Sequence, residues 1–316
     1  MRYARHATLV AIGGVIFPFV FGVWLTVTFG YADGFLEPNA LFIGAVLTAT
    51  SIGITVRVLD DLGNLGSSEG VTILGAAVLD DVIGILFLTL IVAVHQTGDF
   101  SSVSLGFIAL KTFGFWLGLT SIGILISKRI SNVLGNFHSS GSALALALAL
   151  AFAAAGLAES FGLAMIIGAY SIGLALSGTP LAHRLEEQIM SVYHALVPVF
   201  FVVMGMMVDV AAMSGVLIFG AIITALAIIG KVIGCGLPAM VTGFNRIGSW
   251  RLGLGMLPRG EVALIMAGIG LSKGILGADL FGVAIMMTVV TTLLAPLLLV
   301  PSFRNPSSGR RGLPPP

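Results

Sequence analysis

Residues 71–94 read VTILGAAVLDDVIGILFLTLIVAV, an apolar run with Asp80 and Asp81 near its middle. About 20 consecutive apolar residues are enough for a helix to cross a bilayer, so the run predicts a membrane-spanning helix. An ionised side chain at the bilayer centre costs about 2.5–3.5 kcal/mol on insertion scales, so both carboxylates must face protein or water. Neighbouring helical residues point about 100° apart. We therefore expect one carboxylate to hold an ion pair and the other to face a cavity, with a helix cap or a loop pair as the alternative.

The composition of the whole chain agrees with a membrane-embedded fold. Of 316 residues, 57% are hydrophobic and 9% are charged, against about 25% charged in soluble domains. So few charges cannot cover a soluble surface, which excludes a soluble enzyme, a nucleic-acid-binding protein and a disordered chain. The single cysteine, Cys235, excludes an internal disulfide. The sequence predicts an all-α polytopic membrane protein in a lipid bilayer.

Ten apolar segments are long enough, or nearly so, to cross the bilayer. Their ends are defined to roughly 2–4 residues, and the segments are 8–30, 40–58, 70–94, 104–127, 141–158, 160–178, 190–208, 214–240, 252–272 and 278–300. The Ser-, Gly-, Pro- and Arg-rich end of the chain, residues 302–316, is expected to be a disordered tail.

The distribution of basic residues indicates how these segments are oriented. Cytoplasmic loops of membrane proteins are enriched in Lys and Arg. With the N-terminus in the cytoplasm, the outer loops receive Lys273 alone, and the cytoplasmic side receives Arg2, Arg5, Arg57, Lys128, Arg129, Arg184, Arg246, Arg251, Arg304, Arg310 and Arg311. Both termini are therefore expected to be cytoplasmic.

Lys231 lies near the middle of segment 214–240 and needs an acidic partner if it is charged. Opposite charges about 4 Å apart attract by about 4 kcal/mol at an effective dielectric constant of 20. Asp80 and Asp81 are the candidate partners. A structural lysine that extends to the membrane surface is the alternative, although Lys231 lies far from either end of its segment.

Two segments contain polar or helix-breaking residues at their centres. Segment 40–58 carries Thr50 and Ser51, and segment 252–272 carries Arg259 and Glu261 beside Pro258 and Gly260. Non-helical backbone at membrane depth is tolerated only where it is buried in protein or lines a cavity. Taken alone, the Thr/Ser-rich stretch is more typical of helix packing.

The first three and the last three segments form triplets of opposite orientation, each with the interrupted segment in its middle. Inverted repeats with two broken helices and charges at the midplane are typical of secondary transporters. No phosphate-binding loop, metal-ligand cluster or catalytic triad is present, so neither an enzyme nor a cofactor is expected. A channel is a weaker alternative, because paired charges on broken helices suit occlusion better than free conduction.

Four motifs identify a resemblance that extends from the first segment to the last. LTATSIGITVRVLDDLG (47–63), EGVTILGAAVLDDVIG (69–84), GKVIGCGLPA (230–239) and LPRGEVALI (257–265) resemble the bacterial monovalent cation:proton antiporters of the sodium/proton and Kef-type exchanger superfamily. In that family three further spans precede the first segment, so the resemblance implies an N-terminally truncated chain.

The resemblance implies a domain organisation and an assembly. Residues 1–94 and 214–301 would form a core (transport) domain with two crossing broken helices. Residues 95–213 would form a linker helix and part of the dimer (scaffold) domain, and 302–316 the cytoplasmic tail. A homodimer in the bacterial inner membrane is expected.

The resemblance also implies a function and site residues. Asp81 matches the carboxylate that transiently binds the transported Na⁺ or K⁺, and Asp80 matches its neighbour, which pairs with the lysine at Lys231. Thr50 and Ser51 match the crossing of the first broken helix, and Arg259 and Glu261 match the polar centre of the second. The implied function is exchange of Na⁺ (or K⁺) for H⁺ by alternating access. A K⁺-selective Kef-type efflux antiporter and an inactive remnant acting at most as a membrane subunit are the alternatives.

Overall fold

The computed structural model describes residues 4–97, 102–135, 141–161, 163–213, 215–304 and 308–311. These residues form thirteen helices: α1 (Ala4–Thr28), α2 (Pro38–Thr48), α3 (Ile52–Asp61), α4 (Ser68–Thr97), α5 (Ser102–Gly135), α6 (Ser142–Ser160), α7 (Met165–Ser177), α8 (Ala182–Met206), α9 (Val210–Met213), α10 (Leu217–Val241), α11 (Arg246–Gly255), α12 (Glu261–Ser272) and α13 (Ala278–Phe303).

The helices confirm the prediction of an all-helical membrane protein. Within the described ranges, eight spans are long and apolar enough to cross a bilayer, with α2 and α3 counted together as one span. The predicted segments 160–178 and 252–272 contain the shorter apolar helices α7 and α12. Each of the ten predicted segments thus coincides with one helix or with a consecutive pair.

Both predicted helix interruptions are present. The first lies between Thr48 and Ile52, where Ser51 has an extended backbone conformation and Ala49, at φ -58° and ψ 134°, is also non-helical. The second occupies residues 256–260 between α11 and α12. Pro258 lacks the N–H that a continuous helix would need, which accounts for the second interruption. The first contains neither Gly nor Pro, so tertiary contacts must hold it open.

Residues 4–84 and 207–304 with 308–311 belong to one compact unit, whose central contact is the packing of α1 against α10. A Cβ built on Gly13 would lie 2.1 Å from the carbonyl oxygen of Gly234, and one built on Gly234 would lie 2.4 Å from that of Gly13. Small residues let membrane helices approach this closely. The two glycines therefore bring the backbone of α1 against the turn of α10 that follows Lys231.

The remaining described residues between 85 and 206 form the second compact unit. Here α6 packs tightly on α7, because a Cβ built on Gly168 would lie 2.0 Å from the carbonyl oxygen of Ala154. Small side chains on α6 permit this close helix approach, and Ala154 and Ala155 are both buried. Helix α8, by contrast, has no buried residue.

The expected disorder of residues 302–316 is wrong for the part of that stretch that the structure describes. Helix α13 continues to Phe303, and Arg310 forms an antiparallel bridge with Phe244. The carbonyl of Gly309 accepts a hydrogen bond from the N–H of Asn245 at 2.9 Å. Gly243, at φ +101°, turns the chain after α10 so that its backbone can pair with residues 308–311. Residues 305–307 and 312–316 lie outside the described residues.

Candidate functional site

Lys231 and Asp80 form an ion pair in the interior of the protein. The Nζ of Lys231 donates to Oδ1 of Asp80 at 2.9 Å, and both side chains are completely buried. The structure thus selects Asp80 from the two partners that the sequence allowed. Removing one member of such a buried pair leaves an uncompensated charge, at a cost of about 3–5 kcal/mol.

Asp81 follows Asp80 on α4, about 100° further around the helix, and is half-buried. Its Oδ1 is inaccessible to solvent and accepts no hydrogen bond from the residues that the structure describes, and the same holds for Oδ2 of Asp80. Gly84 follows Asp81 on the same helical face, and a Cβ built there would lie 4.0 Å from the hydroxyl of Thr48. Asp81 therefore lies on the side of α4 that faces the end of α2, with an unsatisfied oxygen.

The two interruptions cross at Ser51. The N–H of Ser51 donates to the carbonyl of Pro258 at 2.8 Å, and its hydroxyl donates to Oε2 of Glu261 at 3.1 Å. A Cβ built on Gly260 would lie 2.8 Å from the side chain of Ser51, so a larger residue cannot occupy that position without a shift. These contacts replace the helical hydrogen bonds that the first interruption gives up.

Hydroxyl groups on either side of Ser51 extend the crossing. Thr55 donates to the carbonyl of Gly255 at 2.7 Å, and Thr50 makes a longer contact of 3.4 Å with that of Met256. Both carbonyls lie where α11 ends, so their helical partners are missing. The Thr/Ser-rich stretch therefore serves to satisfy backbone groups of the facing interruption.

Arg259 is fully buried beside the crossing. Its guanidinium donates to the carbonyl of Leu47, in the last turn of α2, and at 3.4 Å to that of Ala227 in α10. The carbonyl of Arg259 accepts a hydrogen bond from Thr292 of α13. A positive charge at the C-terminal end of a helix complements the helix dipole. Arg259 thus connects the broken helix α2 to the helix that carries Lys231.

Glu261 is the first residue of α12, where the dipole favours a negative charge. At the crossing, Arg259 therefore compensates the negative end of the α2 dipole, and Glu261 compensates the positive end of the α12 dipole. Of the seven residues predicted from the sequence, Lys231 pairs with Asp80, and Thr50, Ser51, Arg259 and Glu261 all contact the crossing or its helix ends. Oδ1 of Asp81 accepts no hydrogen bond from the residues that the structure describes.

A second buried ion pair was missed in the sequence. Arg251 donates to Oε1 of Glu69 at 2.9 Å, and both side chains are nearly inaccessible. The sequence predicts a segment that begins at residue 252 and therefore places Arg251 on the cytoplasmic side. The helix α11 begins at Arg246 instead, which places Arg251 inside the fold. The pair could have been predicted only if the helix had been expected to begin at Arg246, since Arg251 then lies inside it.

Comparisons with known proteins match nearly the whole chain to one family. A family model described as "Sodium/hydrogen exchanger, transmembrane" matches residues 1–304. The Na(+)/H(+)-K(+) antiporter GerN of Bacillus cereus is 38% identical over 301 residues, which cover 95% of this chain and 76% of GerN. The high-affinity Na(+)/H(+) antiporter NhaS3 of Synechocystis is 37% identical over 309 residues, covering 94% of this chain and 64% of NhaS3.

A solved structure shows the same fold. The sodium proton antiporter MjNhaP1 from Methanocaldococcus jannaschii superposes with a TM-score of 0.70 at 16% sequence identity. The match covers 95% of this chain and 77% of that protein.

Proposed function

Because the chain belongs to the sodium/hydrogen exchanger family, it is a monovalent cation:proton antiporter, and we propose that Asp81 is the group that the cation and the proton share. The observation that carries this proposal is the buried Oδ1 of Asp81, which has no hydrogen-bond partner among the described residues, whereas the neighbouring Asp80 is paired with Lys231 through its own Oδ1. A desolvated carboxylate oxygen needs a counter-charge or a proton. Asp81 can hold either the cation or a proton but not both, and this competition couples cation transport to proton transport.

The neighbouring pair supplies a second proton-linked element. Lys231 donates to one oxygen of Asp80, and the other oxygen is buried without a partner. When Asp80 takes up a proton or contacts the cation, its attraction for Lys231 weakens and the lysine is released. Two carboxylates and one lysine favour electrogenic exchange, in which more protons than cations move in each cycle.

The crossing supplies a polar environment at membrane depth. Ser51 and Glu261 join the two interruptions, and Arg259 stabilises the end of α2. Such half-helix ends can stabilise ions within the bilayer. In the proposed cycle Thr50, Ser51, Arg259 and Glu261 hold the crossing in place while the cation occupies Asp81.

Alternating access would move a core domain against a dimer domain. We assign the core to residues 1–94 and 214–301 and the linker and dimer domain to 95–213. The division of the chain into two compact units, with boundaries at residues 84 and 206, supports this assignment. We further propose a homodimer in a bacterial inner membrane with both termini in the cytoplasm.

Sodium is the proposed cation, and potassium is a second candidate. GerN is named as an Na(+)/H(+)-K(+) antiporter, and NhaS3 is named as an Na(+)/H(+) antiporter.

Exchange is tested in everted membrane vesicles with a pH-sensitive dye, to which NaCl or KCl is added in separate runs. The wild-type chain is expected to dissipate the proton gradient after NaCl addition, and Asp81→Asn to abolish the response. Asp61→Asn is the matched control, because that carboxylate is exposed. An intact response in Asp81→Asn contradicts the assignment.

A further inference from the structure

A buried polar cluster lies apart from the exchange site, around Glu69 and Arg251. The Nε of Arg251 donates to the carbonyl of Ser302 at 2.9 Å, and its guanidinium lies 4.6 Å from the ring centroid of Phe303. Ser68 donates to the second oxygen of Glu69 at 2.8 Å. One guanidinium therefore connects α4, α11 and the end of α13.

Residues 308–311, here called the return segment, close over this ion pair. A Cβ built on Gly309 would lie 2.0 Å from Oε1 of Glu69, and one built on Gly248 would lie 2.1 Å from the carbonyl oxygen of Gly309. Asn245 fixes the segment by donating from its backbone to Gly309 at 2.9 Å and from its side chain to Ser308 at 2.7 Å. Glycine at positions 248 and 309 thus allows the return segment to exclude water from the pair.

The energetics of a buried pair indicate a role other than stability. Desolvation of two charges often cancels their attraction, so apolar residues of similar volume are frequently as stable or more stable. Breaking the pair leaves a buried charge, however, so any displacement of α4 relative to α11 that separates Glu69 from Arg251 costs free energy. An ion pair in this setting fixes relative position.

Both partners lie on elements that lead into the exchange site. Asp80 and Asp81 follow Glu69 on α4 by about three helical turns. Arg251 lies in α11, whose end at Gly255 continues directly into the crossing at residues 256–260. The ion pair therefore couples the helix of the carboxylates to the half-helix of the crossing.

We propose that Glu69 and Arg251 are positioning residues for the exchange site, and that the return segment maintains them by shielding their ion pair from water. This inference rests on the proposed antiport. In this proposal the ion pair aligns Asp81 with the crossing, and Gly309 allows the return segment to keep water away from the ion pair.

Transport kinetics in proteoliposomes test this assignment. Small displacements of liganding groups weaken binding strongly, so Glu69→Gln and Gly309→Ala are each expected to raise the half-saturating Na⁺ concentration about fivefold or more. The maximal rate per folded transporter should change less than about twofold, because Asp81 and Lys231 remain. A merely structural role would lower the amount of folded protein without changing the half-saturating concentration.

Matched controls are available in the same unit. Asp61→Asn removes one partner of an exposed ion pair with Arg57. Gly34→Ala adds a Cβ at a glycine with open space around it. Both controls should leave the kinetics unchanged. The proposal is overturned if Glu69→Gln and Gly309→Ala also leave the half-saturating concentration unchanged.

Hydrogen–deuterium exchange on the purified protein gives a readout that does not depend on transport. Both variants are expected to raise the exchange of the backbone N–H groups of residues 256–257 and 259–261, and the two controls to leave it unchanged. Unchanged exchange in the variants counts against the positioning role. A wild-type chain that shows no transport counts against the antiport itself, and the exchange data then decide separately whether the pair holds the crossing.

Discussion

The hydroxyl of Ser51 donates to the carboxylate of Glu261 at 3.1 Å, and so a side chain of one broken helix satisfies a charge at the start of the other. The same serine donates its backbone N–H to Pro258. Ser51 is the N-cap of α3, yet its side chain makes no capping hydrogen bond. Its hydroxyl thus serves the crossing rather than its own helix.

Replacing Ser51 by alanine is expected to weaken the crossing. A hydrogen bond to a charged group contributes about 1.5–3 kcal/mol, so Ser51→Ala should lower thermal stability in detergent by an amount in that range. Ser160→Ala is the control, because that exposed serine donates to the carbonyl of Leu157 in its own helix. Equal midpoints of thermal unfolding for Ser51→Ala and the wild type would show that the contact to Glu261 contributes nothing.

The pair of Lys231 and Asp80 predicts a non-additive pattern of stabilities. Lys231→Met or Asp80→Asn alone leaves a buried charge, and each should destabilise the protein by about 3–5 kcal/mol. The double variant removes both charges and should be more stable than either single variant. Unfolding in denaturant, compared across the four proteins, measures the coupling. Additive effects would mean that the two side chains do not interact as their distance of 2.9 Å indicates.

Close packing of α1 on α10 predicts that small substitutions there are costly. Gly234→Ala places a methyl group against the carbonyl oxygen of Gly13, and overpacking of this kind costs about 1–3 kcal/mol. Because Lys231 lies one turn away, the variant should also lose exchange activity. Gly53→Ala is the control, since nothing lies within 4 Å of its added Cβ. A Gly234→Ala protein as stable and active as the Gly53→Ala protein would contradict the tight contact.

The apolar context of a charge decided which site residues could be predicted from the sequence. Asp80, Asp81 and Lys231 are surrounded by residues that belong in a membrane, so their positions alone indicated burial and pairing. Which aspartate contacts the lysine depends on the rotation of α4, and no local pattern encodes that rotation. The helix interruption at Pro258 could be predicted from the residue itself, because proline cannot continue the helical hydrogen bonding.

Features that depend on contacts between distant residues could not be predicted. Glu69 and Arg251 lie next to polar connectors, where charges are ordinarily solvated, and only the packing of α11 and the return segment buries them. The order of residues 308–311 likewise depends on pairing with residues 243–245. A composition rich in Ser, Gly, Pro and Arg gives no sign of that pairing.

The binding of Na⁺ to purified protein, with simultaneous measurement of the protons released, tests the shared carboxylate most directly. Because a cation displaces the proton from its ligand, the wild-type chain should release about one proton or more for each Na⁺ bound. Asp61→Asn should behave as the wild type. Asp81→Asn should neither bind Na⁺ nor release protons. If Asp81→Asn binds Na⁺ and releases protons as the wild type does, Asp81 is not the group for which the two ions compete.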